Sequence, residues 1–311
     1  MSFAGAMLVA MALDLAFGWP NALFLRIGHP VTWLGRLIGG LEAGLNRAPL
    51  RRVKGVLTAL LVTGVAGGLA AALVWMAPGG WAGTVIAGIL AWPLVAIRSM
   101  HDHVAAVARP LAAGDLPRAR HAVSMIVGRD PSQLDQAGVA RAAIESLAEN
   151  TSDGIVAPLV WGVALGLPGI AAYKAINTLD SMIGHRNARY ELFGWASARI
   201  DDGVNLLPAR LTGVLFALTS AAPAKALTCM WRDARNHRSP NAGWPESAMA
   251  GALGIRLSGP RIYGDRVAPE PWVNAGAPDP TPLDLGRGLG LYRRAMVALA
   301  VLVALVAMTG W

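Results

Sequence analysis

The sequence predicts an all-α fold: a polytopic integral membrane helical bundle with about five transmembrane helices plus amphipathic and soluble helical segments. Two observations carry this. Of 311 residues, 54% are hydrophobic and only 15% charged, whereas ordinary soluble domains carry about 25% charge. Uncharged apolar runs of near-bilayer length also recur along the whole chain, which argues for a single integral unit over residues 1–311.

The net charge is +8. No basic run is interleaved with aromatics, so nucleic acid is not an expected partner. Excess arginine in cytoplasmic loops explains the charge instead. The single cysteine, Cys229, excludes an intramolecular disulfide and argues against structural zinc. The N-terminus lacks the basic flank of a signal peptide, so the first segment is expected to be retained.

Residues 1–25 are apolar but interrupted by Asp14 and by Gly18-Trp19-Pro20. The uncharged part falls short of the roughly 20 residues a span needs, which favours an interfacial or partly inserted helix. Residues 26–54 carry six Lys/Arg and one Glu, with Leu34, Leu37, Ile38, Leu41 and Leu45 at helical spacing. That pattern reads as an amphipathic surface helix, so 1–54 forms an N-terminal interfacial region.

Residues 55–77 are uncharged and rich in small residues suited to close helix contact. After the turn at Pro78-Gly79-Gly80, residues 81–97 form a second uncharged run, making a transmembrane hairpin with Trp75 and Trp81 at interfacial positions. Residues 98–153 are polar, with six Arg and seven acids. Helices are expected over 105–111, 116–127 and 132–149. On the last, Arg141, Glu145 and Glu149 share one face.

Residues 154–173 are again uncharged but contain Pro158, Gly162, Gly166, Pro168 and Gly169. Either this is a kinked span, or Gly166 to Gly169 is the tip of a helical hairpin. In both cases Lys174, Asn177, Thr178 and Ser181 form a polar stripe beside Asp180. Residues 203–224 hold a further span, 225–294 a second polar segment with ten Lys/Arg and six acids, and 295–311 a last apolar helix. Loop charge places 1–54, 98–153 and 225–294 in the cytoplasm. Counting five crossings puts 174–202 outside, whereas a re-entrant hairpin at 154–184 would bring it back and upset the sidedness of 225–294.

No Walker-type phosphate loop, dinucleotide fingerprint, zinc-protease helix or nucleophile elbow is present. His101 and His103 make only a weak metal pair. The conspicuous chemistry is concentrated between Arg141 and Arg210. Polar groups at membrane depth are costly and usually functional. Glu149 and Asp153, with Glu145 and Asn150, offer hard oxygen ligands for Mg²⁺ or a solvated acidic face. Lys174 with Asp180 is either a reactive pair or a buried ion pair. His185, Arg186 and Arg189 offer phosphate donors or a membrane anchor. Asp201 and Asp202 precede Asn205. A second dense stretch runs from Trp231 to Glu246. Within it Ser239-Pro240-Asn241 reads as a turn and Pro245-Glu246 as a helix start.

These residues resemble the cobalamin-biosynthesis CobD/CbiB family, the membrane-bound adenosylcobinamide-phosphate synthases. The resemblance covers nearly the whole chain. Its motifs are Gly28-His29-Pro30-Val31, Val127-Gly128-Arg129-Asp130, Glu145-Ser146-x-x-Glu149-Asn150-x-x-Asp153-Gly154 and Lys174-x-x-Asn177-Thr178-x-Asp180-Ser181-Met182. They continue with Gly184-His185, Ala198-Arg199-x-Asp201-Asp202-x-x-Asn205, Pro208-Ala209-Arg210, Ser239 to Glu246 and Tyr263-Gly264.

The resemblance implies an ATP-dependent ligase that joins (R)-1-aminopropan-2-ol, or its O-phosphate, to a carboxylate of adenosylcobyric acid. ATP and Mg²⁺ are the implied co-substrate and activator, and the cobalt corrinoid is substrate rather than cofactor. The implied catalytic set is Lys174, Asp180, His185, Asp201 and Asp202. Glu149, Asp153, Asp180 and Asp202 are the implied metal ligands. Substrate and ATP contacts are assigned to Arg129, Glu145, Asn150, Asn177, Arg186, Asn205, Arg210, Arg232, His237, Ser239, Asn241, Trp244 and Glu246, with the Trp- and Ala-rich surface near Trp244 offered to the corrin face. The expected surroundings are the bacterial inner membrane, a cytoplasm-facing site, the lipid bilayer and other membrane-associated cobalamin-assembly enzymes. A membrane transporter, or a membrane-anchored sensor or binding protein, is the alternative.

Overall fold

The computed structural model describes all residues except 129, 264, 265 and 269, and only the backbone of 261–263 and 266–268. The helices, in chain order, are α1 (Phe3–Phe17), α2 (Asn21–Ile27), α3 (Pro30–Leu45), α4 (Arg51–Met76), α5 (Gly80–Ala91), α6 (Ile97–Ala112) and α7 (Leu116–Ser124). They continue with α8 (Gln136–Thr151), α9 (Ala157–Ile183), α10 (Trp195–Val204), α11 (Leu206–Thr219), α12 (Pro223–Asp233), α13 (Gly243–Leu253) and α14 (Pro282–Met308). Two short antiparallel ladders interrupt them: β1 (Leu257–Ser258) with β4 (Trp272–Val273), and β2 (Arg261–Tyr263) with β3 (Arg266–Ala268).

Four helical stretches are long and apolar enough to cross a membrane: Arg51–Met76, Gly80–Ala112, Gln136–Ile183 and Pro282–Met308. A fifth is available if the pair Phe3–Phe17 and Asn21–Leu45, bent by 109°, counts as one broken span. The polytopic helical bundle is therefore present, but its membership differs from expectation. The expected span over 203–224 is broken at Asn205, leaving the 14-residue α11. At 1.5 Å per residue that is about 21 Å, short of a bilayer core of about 30 Å.

The chain clusters into two compact units of interleaved segments. The first comprises Met1–Ala96, Ala157–Asn205 and Ala300–Trp311. Here α1 starts on a Ser2 cap, whose hydroxyl accepts from Gly5 N at 2.9 Å, and stops at Gly18, which takes φ 56° before Pro20. α3 starts at Pro30 behind a His29 cap, where Nδ1 accepts from Val31 N at 3.2 Å. Pro93 converts the end of α5 into a 3-10 turn.

The first unit also resolves the two readings of 154–173. Gly166 sits at φ 67° inside α9. A Cβ built on Gly169 would lie 2.2 Å from the Trp161 carbonyl oxygen, although eight residues of straight helix span about 12 Å. The chain therefore doubles back at Gly166, and 167–183 is the returning arm of a helical hairpin.

The hairpin tip packs on Phe3, and Trp311 Nε1 donates to Val163 O at 2.7 Å. Ser2 N donates to Thr84 Oγ1 at 3.0 Å, so the starts of α1 and α5, the tip and the C-terminus share one end of this unit. The opposite end holds His29, the Trp19–Trp92 pair and the Glu42–Arg189 ion pair at 2.8 Å. The returning arm delivers 184–193 to that end, and α10 then runs back along the arm, so that Trp161 Nε1 donates to Val204 O at 3.0 Å. Of the two paths the sequence leaves open for 154–184, this unit takes the hairpin, which returns residue 184 to the end that holds His29.

The core of this unit is Ile38, Ala59, Val62, Ala175, Leu179, Ile183, Phe193 and Ala196, contributed by α3, α4, α9 and α10. Helices in lipid gain little from the hydrophobic effect and rely on close packing. Gly55 supplies it: a Cβ there would lie 1.8 Å from the Phe193 carbonyl oxygen. The outer face of α4, with Leu57, Leu61, Leu69 and Leu73, is exposed, as a lipid-facing surface requires.

The second unit comprises Ile97–Val156 and Leu206–Leu299. α13 is its axis, with ten of its residues from Gly243 to Leu253 buried. It begins two residues before the expected Pro245, because the turn at Ser239 already satisfies the first amides: Ser239 Oγ accepts from Asn241 N and Ala242 N at 3.2 Å each. α8 starts later than the expected residue 132, on an Asp135 cap that accepts from Gly138 N at 2.7 Å, while Asp130 closes a local turn on Ser132. α8 then loosens into a π turn over Ser152–Val156.

Candidate functional site

In the first unit, the returning arm of α9 and the helix α10 hold the acidic residues. Asp201 and Asp202 are adjacent on α10, so they point differently: Asp201 is buried, and Asp202 Oδ2 pairs with Arg199 Nη1 at 3.2 Å. Asn205 Nδ2 donates to Asp201 Oδ2 at 3.0 Å. Tyr173 Oη donates in turn to Asn205 Oδ1 at 2.8 Å. Burial, reinforced by the nearby charge of Asp180, pushes the Asp201 carboxyl up to about 7. Asp180 sits over Gly184, whose Cβ would fall 2.0 Å from Asp180 Oδ1, and it feels the charges of Asp202 and His185. Thus Asp180, Asp201, Asp202, Asn177 and Asn205 form one cluster.

The polar stripe around this cluster is partly structural. Thr178 Oγ1 donates to Lys174 O at 2.7 Å and Ser181 Oγ to Asn177 O at 2.8 Å, so both hydroxyls serve the helix backbone. Lys174 acts electrostatically on His29, whose ring packs edge-on to Trp19 with centroids 5.2 Å apart. His185 and Arg186 are exposed on the loop after α9. Arg189, read from the sequence as a phosphate donor, is bound bidentately to Glu42 instead, with Nε–Oε1 at 3.0 Å and Nη2–Oε2 at 2.8 Å.

The remaining assigned residues belong to the second unit. Glu145 is buried, and its Oε1 accepts from Ser258 N at 2.7 Å, which ties α8 to β1. Asn150 Nδ2 returns to Ser146 O at 2.9 Å. Glu149 is exposed on the last turn of α8, and Asp153 lies in the π turn. Arg129 lies outside the described residues, as does Gly264 of the Tyr263-Gly264 motif. Arg232 grips Asp233 through two bonds of 2.7 Å and reaches Asn274 Oδ1 at 3.3 Å. That grip holds the Asp233 carboxyl below its usual range.

His237 and Glu246 are both buried, with Nε2 and Oε2 3.8 Å apart, and Ser239 N donates to His237 Nδ1 at 3.1 Å. Asn241 is buried beside them. Trp244 is only 3% exposed: Arg210 covers its ring at 4.4 Å, and Trp231 meets it edge-on with centroids at 5.0 Å. The Trp244 ring itself is therefore covered, by a cation on its face and by Trp231 at its side.

Chemically, the first cluster can exchange a proton near neutrality through Asp201 and present carboxyl oxygens to a hard cation. Among the described residues, no three His, Cys, Asp or Glu side chains gather as a metal cage. A Mg²⁺ ion held by one or two carboxylates plus substrate phosphates needs none, and Asp180 with Asp202 fits that donor set. Tyr173, which orients Asn205, was not singled out by the sequence. A buried tyrosine hydroxyl requires a partner, but nothing in the spacing identifies which.

A profile of the family described as CobD/Cbib protein matches residues 7–292. A protein of Rhodobacter capsulatus named "Cobalamin biosynthesis protein CobD" is 70% identical, over 99% of this chain and 98% of that protein. Proteins of the same name from Sinorhizobium sp and Geobacter metallireducens are 45% and 46% identical, covering 96% and 99% of this chain and 97% of each relative. No solved structure matches significantly.

Proposed function

This chain belongs to the CobD/CbiB family, and on that premise we propose that it is a cobalamin-biosynthetic, ATP-dependent ligase. It joins (R)-1-aminopropan-2-ol, or its O-phosphate, through an amide bond to a carboxylate of adenosylcobyric acid. The observation that carries this reading is the cluster of Asp180, Asp201 and Asp202 beside Asn177 and Asn205, presented by the returning arm of the hairpin and by α10.

The substrate carboxylate attacks the γ-phosphorus of ATP, ADP leaves, and an acyl phosphate forms. The amine nitrogen then attacks the acyl carbon. The C–N bond forms, inorganic phosphate departs with one former carboxylate oxygen, and the nitrogen loses a proton. Asp201, with its carboxyl near 7, is the proton acceptor for that last event. His185, exposed on the following loop, is the second group able to accept it. Lys174 lends positive charge to the transferring phosphoryl group. Asp180 and Asp202 would hold Mg²⁺, which supplies charge neutralisation of the nucleotide phosphates.

A cytoplasm-facing site in the bacterial inner membrane follows from the need for ATP and from the arginine-rich loops. The bilayer, and other membrane-associated enzymes that pass on corrinoids, are the proposed partners. The test is to incubate purified, detergent-solubilised protein with adenosylcobyric acid, aminopropanol phosphate, ATP and Mg²⁺. Formation of the amide with equimolar ADP supports the reading, and absence of both refutes it.

A further inference from the structure

In the second unit, three segments approach unusually closely around Trp244. A Cβ on Gly213 of α11 would lie 2.5 Å from Met230 Sδ and 3.1 Å from Trp244 O. A Cβ on Gly243 would lie 2.3 Å from Ala234 O and 2.6 Å from His237 Cβ. These two glycines let α11 and the 3-10 turn Ala234–Asn236 press onto the start of α13.

The approach brings two cations together. Arg210 lies over the Trp244 ring at 4.4 Å, with Nη1 donating to Leu206 O at 2.6 Å. Arg235, exposed on the 3-10 turn, stands near enough for its charge to oppose that of Arg210. Among the described residues, neither is paired with a carboxylate. Four other arginines of this unit are paired with carboxylates, Arg256 and Arg141 with Asp279, Arg232 with Asp233 and Arg287 with Asp284, while Arg120 and Arg294 donate to backbone carbonyls. The carboxylate of α13, Glu246, faces His237 instead. Two like charges on segments packed against Gly243 and Trp244, one of them braced on an aromatic face, are placed to share an anion. Paired guanidinium forks match phosphate oxygens.

We propose that Arg210 and Arg235, braced by Trp244, form a receptor for the phosphate group of a substrate. Arg235 is thereby a specificity-determining residue that the motifs of the sequence did not identify. The inference rests on the ligase reading only for the identity of the phosphate carrier, which is either the phosphorylated amino alcohol or ATP. The phosphate site itself is tested without turnover.

Inorganic phosphate and pyrophosphate are titrated into the full-length, detergent-solubilised protein, following tryptophan fluorescence and calorimetric heat. Arg235→Ala and Arg210→Ala are each expected to weaken binding by roughly tenfold to a hundredfold, with Arg235→Lys intermediate. Circular dichroism and melting temperature of Arg235→Ala, an exposed position, are expected to match the parent. Steady-state kinetics then identify the carrier. If the amine brings the phosphate, Arg235→Ala raises KM for aminopropanol phosphate while leaving KM for aminopropanol and for ATP unchanged. If ATP brings it, the KM for ATP rises alone. Unchanged phosphate and pyrophosphate affinity in Arg235→Ala overturns the proposal, whatever the kinetics show. Phosphate binding lost with Arg235 in a protein that makes no amide overturns the ligase reading and leaves the receptor standing.

Discussion

Tyr173, on the returning arm of the hairpin, donates its hydroxyl proton to Asn205 Oδ1 at 2.8 Å, and Asn205 passes its own amide to Asp201. This relay fixes the orientation of the carboxyl that takes the proton in the proposed reaction. Tyr173→Phe removes one buried hydrogen bond and leaves Asn205 Oδ1 unsatisfied. A stability loss of about 1–3 kcal/mol is expected, read from thermal melts. A parallel fall in kcat with little change in KM is expected from the loosened Asn205. An unchanged kcat would detach the relay from catalysis.

Asp180→Asn is expected to abolish amide formation while the protein still inserts into membranes and purifies as a folded species. The substitution preserves shape and removes the charge that would meet Mg²⁺. Product formation at the parent rate would remove Asp180 from the site.

The raised Asp201 carboxyl has a defined signature. Its folded value, about 7, lies above the ordinary carboxylate value of 3.8. The folded state therefore favours the protonated form, and this stabilisation is full at low pH and is lost as pH rises toward 7. Asp201→Asn, which carries no charge, is expected to melt increasingly higher than the parent as pH goes from 5 to 8. The ionisation near 7 in the pH–rate profile is expected to vanish with it. A melting difference independent of pH would contradict the assignment.

Glu145 separates a structural from a binding role. Its Oε1 accepts from Ser258 N, a bond that glutamine reproduces and alanine does not. Glu145→Gln is expected to retain stability and activity, and Glu145→Ala to lose about 1–3 kcal/mol. Loss of activity in stable Glu145→Gln would return the residue to the substrate site.

The hairpin at Gly166 predicts sidedness. Asn187 is exposed on the loop after α9. Asn187→Cys in intact cells is expected to resist membrane-impermeant thiol reagents and to label in inverted vesicles. Background is low, because burial pushes the Cys229 thiol up to about 12. Labelling from outside would place this loop in the periplasm.

Much of the architecture is legible from residue pattern, because charge depletion and apolar run length are direct consequences of a hydrocarbon solvent. The uncharged runs at 55–77 and 81–97, which fall within the helical stretches Arg51–Met76 and Gly80–Ala112, follow from it. The path of 154–184 does not. Glycine and proline mark a break at Gly166, but a kink and a reversal draw on the same residues, and only the packing of Gly169 against Trp161 distinguishes them. The site was legible as a set of residue types. Which of them serve local structure was not, since Arg189 finds Glu42 147 residues away and Glu145 finds Ser258 113 residues away. Nor does the sequence announce that an arginine from α11 covers the ring of Trp244, 34 positions further along the chain.

The central claim is that ATP activates a corrinoid carboxylate for attack by an amine. The most direct measurement follows ¹⁸O from the labelled carboxylate of adenosylcobyric acid during turnover by the purified protein. Passage through an acyl phosphate predicts one ¹⁸O atom in each inorganic phosphate released. Amide formation with unlabelled phosphate, or label in AMP, would contradict it.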